Sequence, residues 1–409
     1  MLKEKMKIKD NKTPVVILGC KIGGVAIMRS LGNLGIPVYG VDDNPKSAAL
    51  RSRYLKRRFI KAFDEKKPEE YLHFLMHIGS LFGEKSILIP TSDELSVFVA
   101  EHADDLRQYF LFSDNNPRLV KDLMSKKAMY NIAVKHDIPA PATFFPENLK
   151  DVTAFLDKIS FPVMLKGIEG NRLQLRSGLK MLIVHSKEEL VEHYQILEDP
   201  KSPNLMIQEY IPGGDDQVYI FNGYFNENSE CLAAFTGHKI RQFPIHVGCA
   251  SLGECRWNEE VATMTMNFMK EIGYRGILDI GYRLDPRDGK YKVLDINPRV
   301  GQAFRLFVAE NGMDVVRCLY MDLTGQEIAN PIIPKEGRRW AIEDFDIISS
   351  FHYHEEGTLG ICDWMTSFKR LEEAAWFSWR DPAPAMVIAK GFLKKSFLWL
   401  IKKSHMFHS

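Results

Sequence analysis

Apolar and polar positions alternate most regularly between Gly276 and Arg299, in GILDIGYRLDPRDGKYKVLDINPR. A period of two on both sides of Asp285-Pro-Arg-Asp-Gly289 predicts a two-stranded hairpin. On its first strand Leu278, Ile280, Tyr282 and Leu284 share one face, while Ile277, Asp279, Gly281 and Arg283 share the other. On the second, Leu294 and Ile296 are apolar, and Val293, Asp295 and Asn297 point the opposite way. With residues 285–289 as the turn, Leu284 pairs with Lys290, and Asp279 falls directly across from Asp295. Carboxylates opposed on one sheet face repel each other. A bound cation would reverse that sign, and hard oxygen ligands suit Mg²⁺, usually together with substrate phosphates. Asn297 adds a neutral oxygen on the same face. The alternative is a solvated polar face with a chance pair of acids.

Upstream, the apolar run 15–18 opens into Gly19-Cys-Lys-Ile-Gly23-Gly24, an amphipathic stretch over 25–34 and a second run over 37–41 that ends in Asp42-Asp43. Strand, glycine turn, helix and strand is the layout of a nucleotide-type βαβ unit. The spacing is GxxxGG rather than GxGxxG, which lowers a nicotinamide dehydrogenase reading and leaves a plain strand-to-helix turn open. Another strand over 86–90 leads into Thr91-Ser-Asp-Glu94, either a ligand-binding cluster at a strand's carboxyl end or a helix cap. One long helix is expected over 119–136, with Lys126 and Lys127 near its start. An apolar strand over 161–166 ends in Lys166, followed by a basic loop over 167–178 that contains Arg172 and Arg176 and suits a phosphate cover. Further strands and helices are expected over 181–184, 186–197, 205–211, 217–223, 231–236 and 259–271. Lys239 and Arg241 alternate on one side of a strand. Helices follow over 300–311, carrying Arg305, and over 315–323. Residues 331–409 form a tail with no assignable fold, and 390–403 reads as a basic amphipathic helix. That helix either packs on the protein or lies peripherally on the inner face of an anionic membrane.

Length allows two to three domains in 409 residues, and 45% hydrophobic with 26% charged residues is ordinary for a soluble globular chain. A formal net charge of +1 argues neither for nor against a polyanionic partner, and no nucleic acid is expected. Six scattered cysteines without a CxxC pair read as reduced thiols. The charged start MLKEKMKIKDNKTP has no apolar core of a signal peptide, so a cytoplasmic location is expected.

Five features then stand in a known order: Lys126 at a helix start, Lys166 at a strand end with the loop behind it, Gln208-Glu-Tyr-Ile211, Asp279, and Asp295-Ile-Asn-Pro-Arg299. Together they resemble the ATP-grasp superfamily over about 120–325. Ile89-Pro-Thr-Ser-Asp-Glu94 and the Asp295–Arg299 ending are in the style of its carboxylate–amine ligases, a group that includes D-aspartate ligases. The resemblance implies an α/β protein: a parallel-sheet domain over 1–118, ATP-grasp subdomains over 119–204 and 205–328, and a C-terminal extension over 329–409. It implies ATP with Mg²⁺ or Mn²⁺ as cofactors, and a small-molecule carboxylate and an amine as substrates. A homodimer stays open, and so does a non-catalytic nucleotide-binding protein of the same fold. By the resemblance, Lys126 and Lys166 contact the phosphates, Gln208 with the backbone of Glu209 and Ile211 holds the adenine edge, and Asp216 takes the ribose. Asp279, Asp295 and Asn297 hold the metal, and Arg299 faces the transferred phosphoryl group. Lys239, Arg241, Arg256 and Arg305 are candidates for substrate carboxylates. Most relatives carry glutamate at one or both metal positions, so the number of metal ions is left open.

Overall fold

The computed structural model describes residue 6 and residues 8–179, 181–328 and 331–392. The expected helix over 390–403 therefore lies almost wholly outside the described residues.

Three sheets organise the chain. The first is parallel, in the order β3-β2-β1-β4-β5, from β1 (Val15–Leu18), β2 (Val38–Asp42), β3 (Leu55–Ile60), β4 (Ser86–Pro90) and β5 (Phe110–Leu111). Its central strand VVIL is buried at every position, as expected of a parallel strand covered by helices on both faces. The second sheet is antiparallel, in the order β6-β9-β7-β8, from β6 (Thr143–Phe144), β7 (Val163–Gly167), β8 (Met181–Val184) and β9 (Leu205–Glu209). Because β9 pairs with both β6 and β7, the sheet boundary falls after Glu209, not before residue 205.

The third sheet has seven strands, in the order β14-β13-β10-β11-β12-β15-β16. They are β10 (Val218–Phe225), β11 (Cys231–Phe243), β12 (Cys249–Cys255), β13 (Gly276–Leu284), β14 (Tyr291–Asn297), β15 (Arg339–Ala341) and β16 (Leu371–Ala374). β15 and β16 come from the stretch whose fold was not legible, so this tail completes the sheet and is no appendage. A single core runs from Val15, Ile17 and Val25 through Phe235 and Phe304 to Trp340 and Trp376, joining the first sheet to the third.

Three expected elements differ. The helix over 119–136 is two helices, Pro117–Met124 and Lys126–Lys135. Ser125 between them has extended backbone and accepts from the Ala128 N–H, the capping role that favours serine over helix continuation. The loop over 167–178 holds a helix, Gly170–Ser177, closed by Gly178 at φ +77°. Residues 300–311 contain only a short 3₁₀ turn, Phe304–Leu306, because Phe304, Leu306 and Phe307 are drawn into the core.

Candidate nucleotide and metal site

The β13–β14 hairpin forms, with a register one residue away from the expected one beside the turn and two residues away at the acids. Leu284 pairs with Tyr291, Gly281 with Asp295 and Asp279 with Asn297. The shift lies between Gly281 and Tyr282, where Leu294 of β14 has no partner of its own. Asp279 and Asp295 are thus diagonal neighbours on one face and do not oppose each other directly. Glycine makes that diagonal possible. A Cβ on Gly281 would collide with Asp295 Oδ1, and a Cβ on Gly301 would collide with the Asp279 carboxylate. Side chains at either position would fill the cradle between the acids.

The acids feel each other. Burial first, and the Asp295 charge second, push the Asp279 pKa from 3.8 to about 7, against the opposing pull of Arg299 and Lys239. Asn297 donates to Asp295 Oδ2 at 3.0 Å and accepts from Arg299 Nη2 at 3.1 Å. Arg299 also ion-pairs through Nε with Asp93, in the first turn of helix Asp93–Glu101 of the first domain. That helix is capped by Ser92, whose side chain accepts from the Leu95 N–H, so the capping reading of 91–94 holds. Asp93 carried no sequence signal as a partner of Arg299, since 206 residues separate them.

Facing the hairpin is the second sheet. Lys126, at the first position of its helix, donates from Nζ to Gly167 O at 2.8 Å. Lys166 Nζ donates to Gln208 Oε1 at 3.0 Å, and Gln208 Nε2 donates to Thr143 Oγ1 at 3.0 Å. Burial, then the Lys126 charge, lower the Lys166 pKa to about 8, while Asp295 acts in the opposite sense. Two sheets therefore converge on one carboxylate. Lys239 of β11 joins them from the third sheet's own face: Asp295 and Asp279 both act on it, while burial lowers its pKa. Its ammonium donates to Gln242 Oε1 at 3.0 Å and to Gly248 O at 2.7 Å. A cavity of about 10 Å³ between the sheets is lined by Lys126, Thr143, Met206, Gln208, Val293 and Leu294 among others.

Other expected residues are placed differently. Glu209 spends its N–H on Ala142 O at 2.8 Å, and its carboxylate receives Arg287 at 2.6 Å and Lys292 at 3.3 Å. Ile211 is buried, and Asp216 is exposed on the turn Asp215–Gln217. Arg241 is no free substrate cation: Nε and Nη2 grip Asp346 at 2.9 and 2.8 Å, and both residues are buried. Arg305 is likewise taken by Asp314 at 2.6 Å and Glu373 at 2.7 Å. Arg172 donates to Ser202 O at 2.8 Å, and Arg176 pairs with Asp199 at 3.5 Å. Arg256 is exposed. Sequence reading also missed a polar knot beside Asp216, where Asp215 accepts from Gln242, Tyr353 and His246.

Among the described residues no cluster of three or more His, Cys, Asp or Glu side chains could hold a metal ion by itself. Two carboxylates and the Asn297 amide are hard oxygen donors, and they fit Mg²⁺ where substrate phosphates supply the remaining ligands.

A parallel α/β domain followed by an antiparallel sheet and a mostly antiparallel one, which bring lysines and carboxylates together, is the ATP-grasp fold. The solved structures agree: the ADP complex of an N5-carboxyaminoimidazole ribonucleotide synthetase superposes with a TM-score of 0.62 at 11% identity, covering 83% of this chain and 82% of that one. An L-amino acid ligase from Bacillus licheniformis gives 0.57 at 14% identity, over 80% of this chain and 76% of the other. In sequence the chain is similar to the D-aspartate ligase of Enterococcus faecium (strain Aus0004), 27% identical over 252 residues. That alignment covers 59% of each protein, so the chain spans less than two thirds of that ligase's length. No protein-family model matches the chain.

Proposed function

We propose that the protein is an ATP- and Mg²⁺-dependent ligase that joins a carboxylate to an amine and releases ADP and phosphate. The observation that carries this reading is the cavity between the sheets, where Lys126 and Gln208 face Val293 and Leu294 of the hairpin strand that bears Asp295 and Asn297. A polyanion entering between the sheets would meet Lys126 and Lys166 on one side. On the other it would meet Asp279 and Asp295, which repel an anion unless a divalent cation accompanies it, with the Asn297 amide beside them. Bound Mg²⁺ would supply charge neutralisation at the phosphoryl oxygens.

The chain's own residues supply the rest. Lys126 and Lys166 orient the phosphates, and Gln208 fixes the Lys166 ammonium through its 3.0 Å hydrogen bond. Arg299, held between Asn297 and Asp93, neutralises the phosphoryl group as it passes to a substrate carboxylate. The resulting acyl phosphate is attacked by the amine. An amide forms, phosphate leaves, and no nucleophile of the protein is needed. Lys239, whose ammonium has only the neutral acceptors Gln242 Oε1 and Gly248 O as hydrogen-bond partners among the described residues, is the candidate for the substrate carboxylate. Similarity to a D-aspartate ligase supports an amino acid as one of the two substrates.

The test is ADP release from Mg·ATP with amino acids and dipeptides supplied in pairs, D-amino acids included. ADP should appear only when an acid and an amine are both present. Saturable ATP binding without turnover over a broad panel would instead establish a non-catalytic nucleotide-binding protein.

A further inference from the structure

One surface far in sequence from the hairpin is basic and aromatic together. β3 is the open edge of the first sheet, and Arg51, Arg53, Lys56, Arg57 and Arg58 on and before it are exposed. Residues 51–61 contain no Asp or Glu. Among the described residues, no ion pair with an acid forms at any of these five cations or at Arg380. The segment 377–381 is seated against this edge: Asp381 Oδ1 accepts from the Arg53 N–H at 2.8 Å, and Arg53 Nη1 donates to Arg380 O at 3.3 Å. Next to Arg380 stands Trp379, 89% exposed, its ring 4.8 Å edge-on from that of the partly exposed Phe377. Positive charge on an edge strand discourages strand addition. That explains the cations of β3, but it leaves the bare tryptophan next to Arg380, on the segment that Arg53 holds, unexplained.

The geometry points to this surface as a docking site for an anionic lipid membrane. Tryptophan and phenylalanine insert at the boundary between headgroups and acyl chains, while arginine and lysine around them meet anionic headgroups. The protein's own segments are poor occupants. Residues 382–409 carry five lysines and no Asp or Glu, so charge sets that segment against the patch and gives it the same preference for an anionic surface. A second copy of the chain would oppose like charges in the same way. The net charge of the whole chain is only +1, so the attraction belongs to this patch and not to the protein as a polycation. This inference does not rest on the ligase reading.

The experiment is co-sedimentation of the full chain with extruded vesicles of phosphatidylcholine, alone or with one-third phosphatidylglycerol, beside a fluorescent single-stranded oligonucleotide. Binding should require phosphatidylglycerol and weaken with salt. R53Q/R380Q should weaken it about 25-fold, roughly fivefold per charge, and Trp379→Ser should weaken it about tenfold or more. Unchanged thermal melting and ATP binding would show that the variants stay folded. Three outcomes overturn the proposal: equal binding to neutral vesicles, binding to the oligonucleotide but not to vesicles, or patch variants that bind like the parent.

Discussion

Replacing Asp279 with asparagine removes a charge that the folded chain holds at a cost. A carboxyl whose pKa climbs from 3.8 to about 7 binds its proton more tightly in the folded than in the unfolded chain. The folded state therefore loses stability as pH rises from about 4 to about 7, and the loss is complete above that. At about 1.4 kcal/mol per tenfold change in proton affinity, the full cost is on the order of 4 kcal/mol. Asp295 is exposed, and solvent screening of its share leaves about 2 kcal/mol. Without nucleotide, Asp279→Asn should then be more stable than the parent at pH 8 by about 2 kcal/mol, a rise of about 2 °C in the melting temperature of a chain this long. The two proteins should melt together near pH 4. Adding Mg·ATP should reverse the order at pH 8, because the cation rewards the parent's charge and leaves the variant where ATP alone puts it. Differential scanning calorimetry at both pH values, with and without Mg·ATP, reads all of this. The reasoning fails if the variant melts with the parent at pH 8 in the absence of ligand, or if Mg·ATP stabilises both by the same amount.

Lys166 offers a second pH signature. Its ammonium must be protonated to hold a phosphate, and burial beside Lys126 brings its pKa to about 8. The Kd for ATP should stay flat below that pH and rise up to about tenfold per pH unit above it; Lys166→Arg should abolish the rise in a fluorescence titration from pH 6.5 to 9. Asp346→Ala leaves the Arg241 guanidinium buried without its carboxylate and should cost about 3–5 kcal/mol in urea unfolding. Arg241→Met combined with Asp346→Leu should recover most of that loss, and a double variant as weak as the single one would count against a purely structural role.

Much of the fold was legible because its strongest signals are local. The apolar runs of β1 and β4 and the period of two in β13 identify buried and half-buried strands without any knowledge of their partners. The order of Lys126, Lys166, Gln208 and the hairpin carried the architecture. What escaped was decided by single residues or by distance. One unpartnered residue, Leu294, moves the register of Asp295, and alternation alone cannot reveal it. Ser125 splits a helix that periodicity draws as continuous. Arg241 looked available because its partner, Asp346, stands 105 residues further on, and of the two acids that take Arg305 one, Glu373, is 68 residues away. β15 and β16 have only three and four residues, too few for a period to register.

Arg29, on the first helix of the chain, is buried and donates from Nε to Asp381 at 3.0 Å, across 352 residues of sequence. On the ribosome these two residues are not made together. At about 5–20 residues per second, Arg29 waits about 20–70 s for its carboxylate to be synthesised. Throughout that interval the nascent first domain presents an unmatched guanidinium where its finished surface will be sealed. The domain made first is therefore among the last to reach its final packing, and its longest exposure to misfolding, proteolysis and chaperone capture falls within its own synthesis.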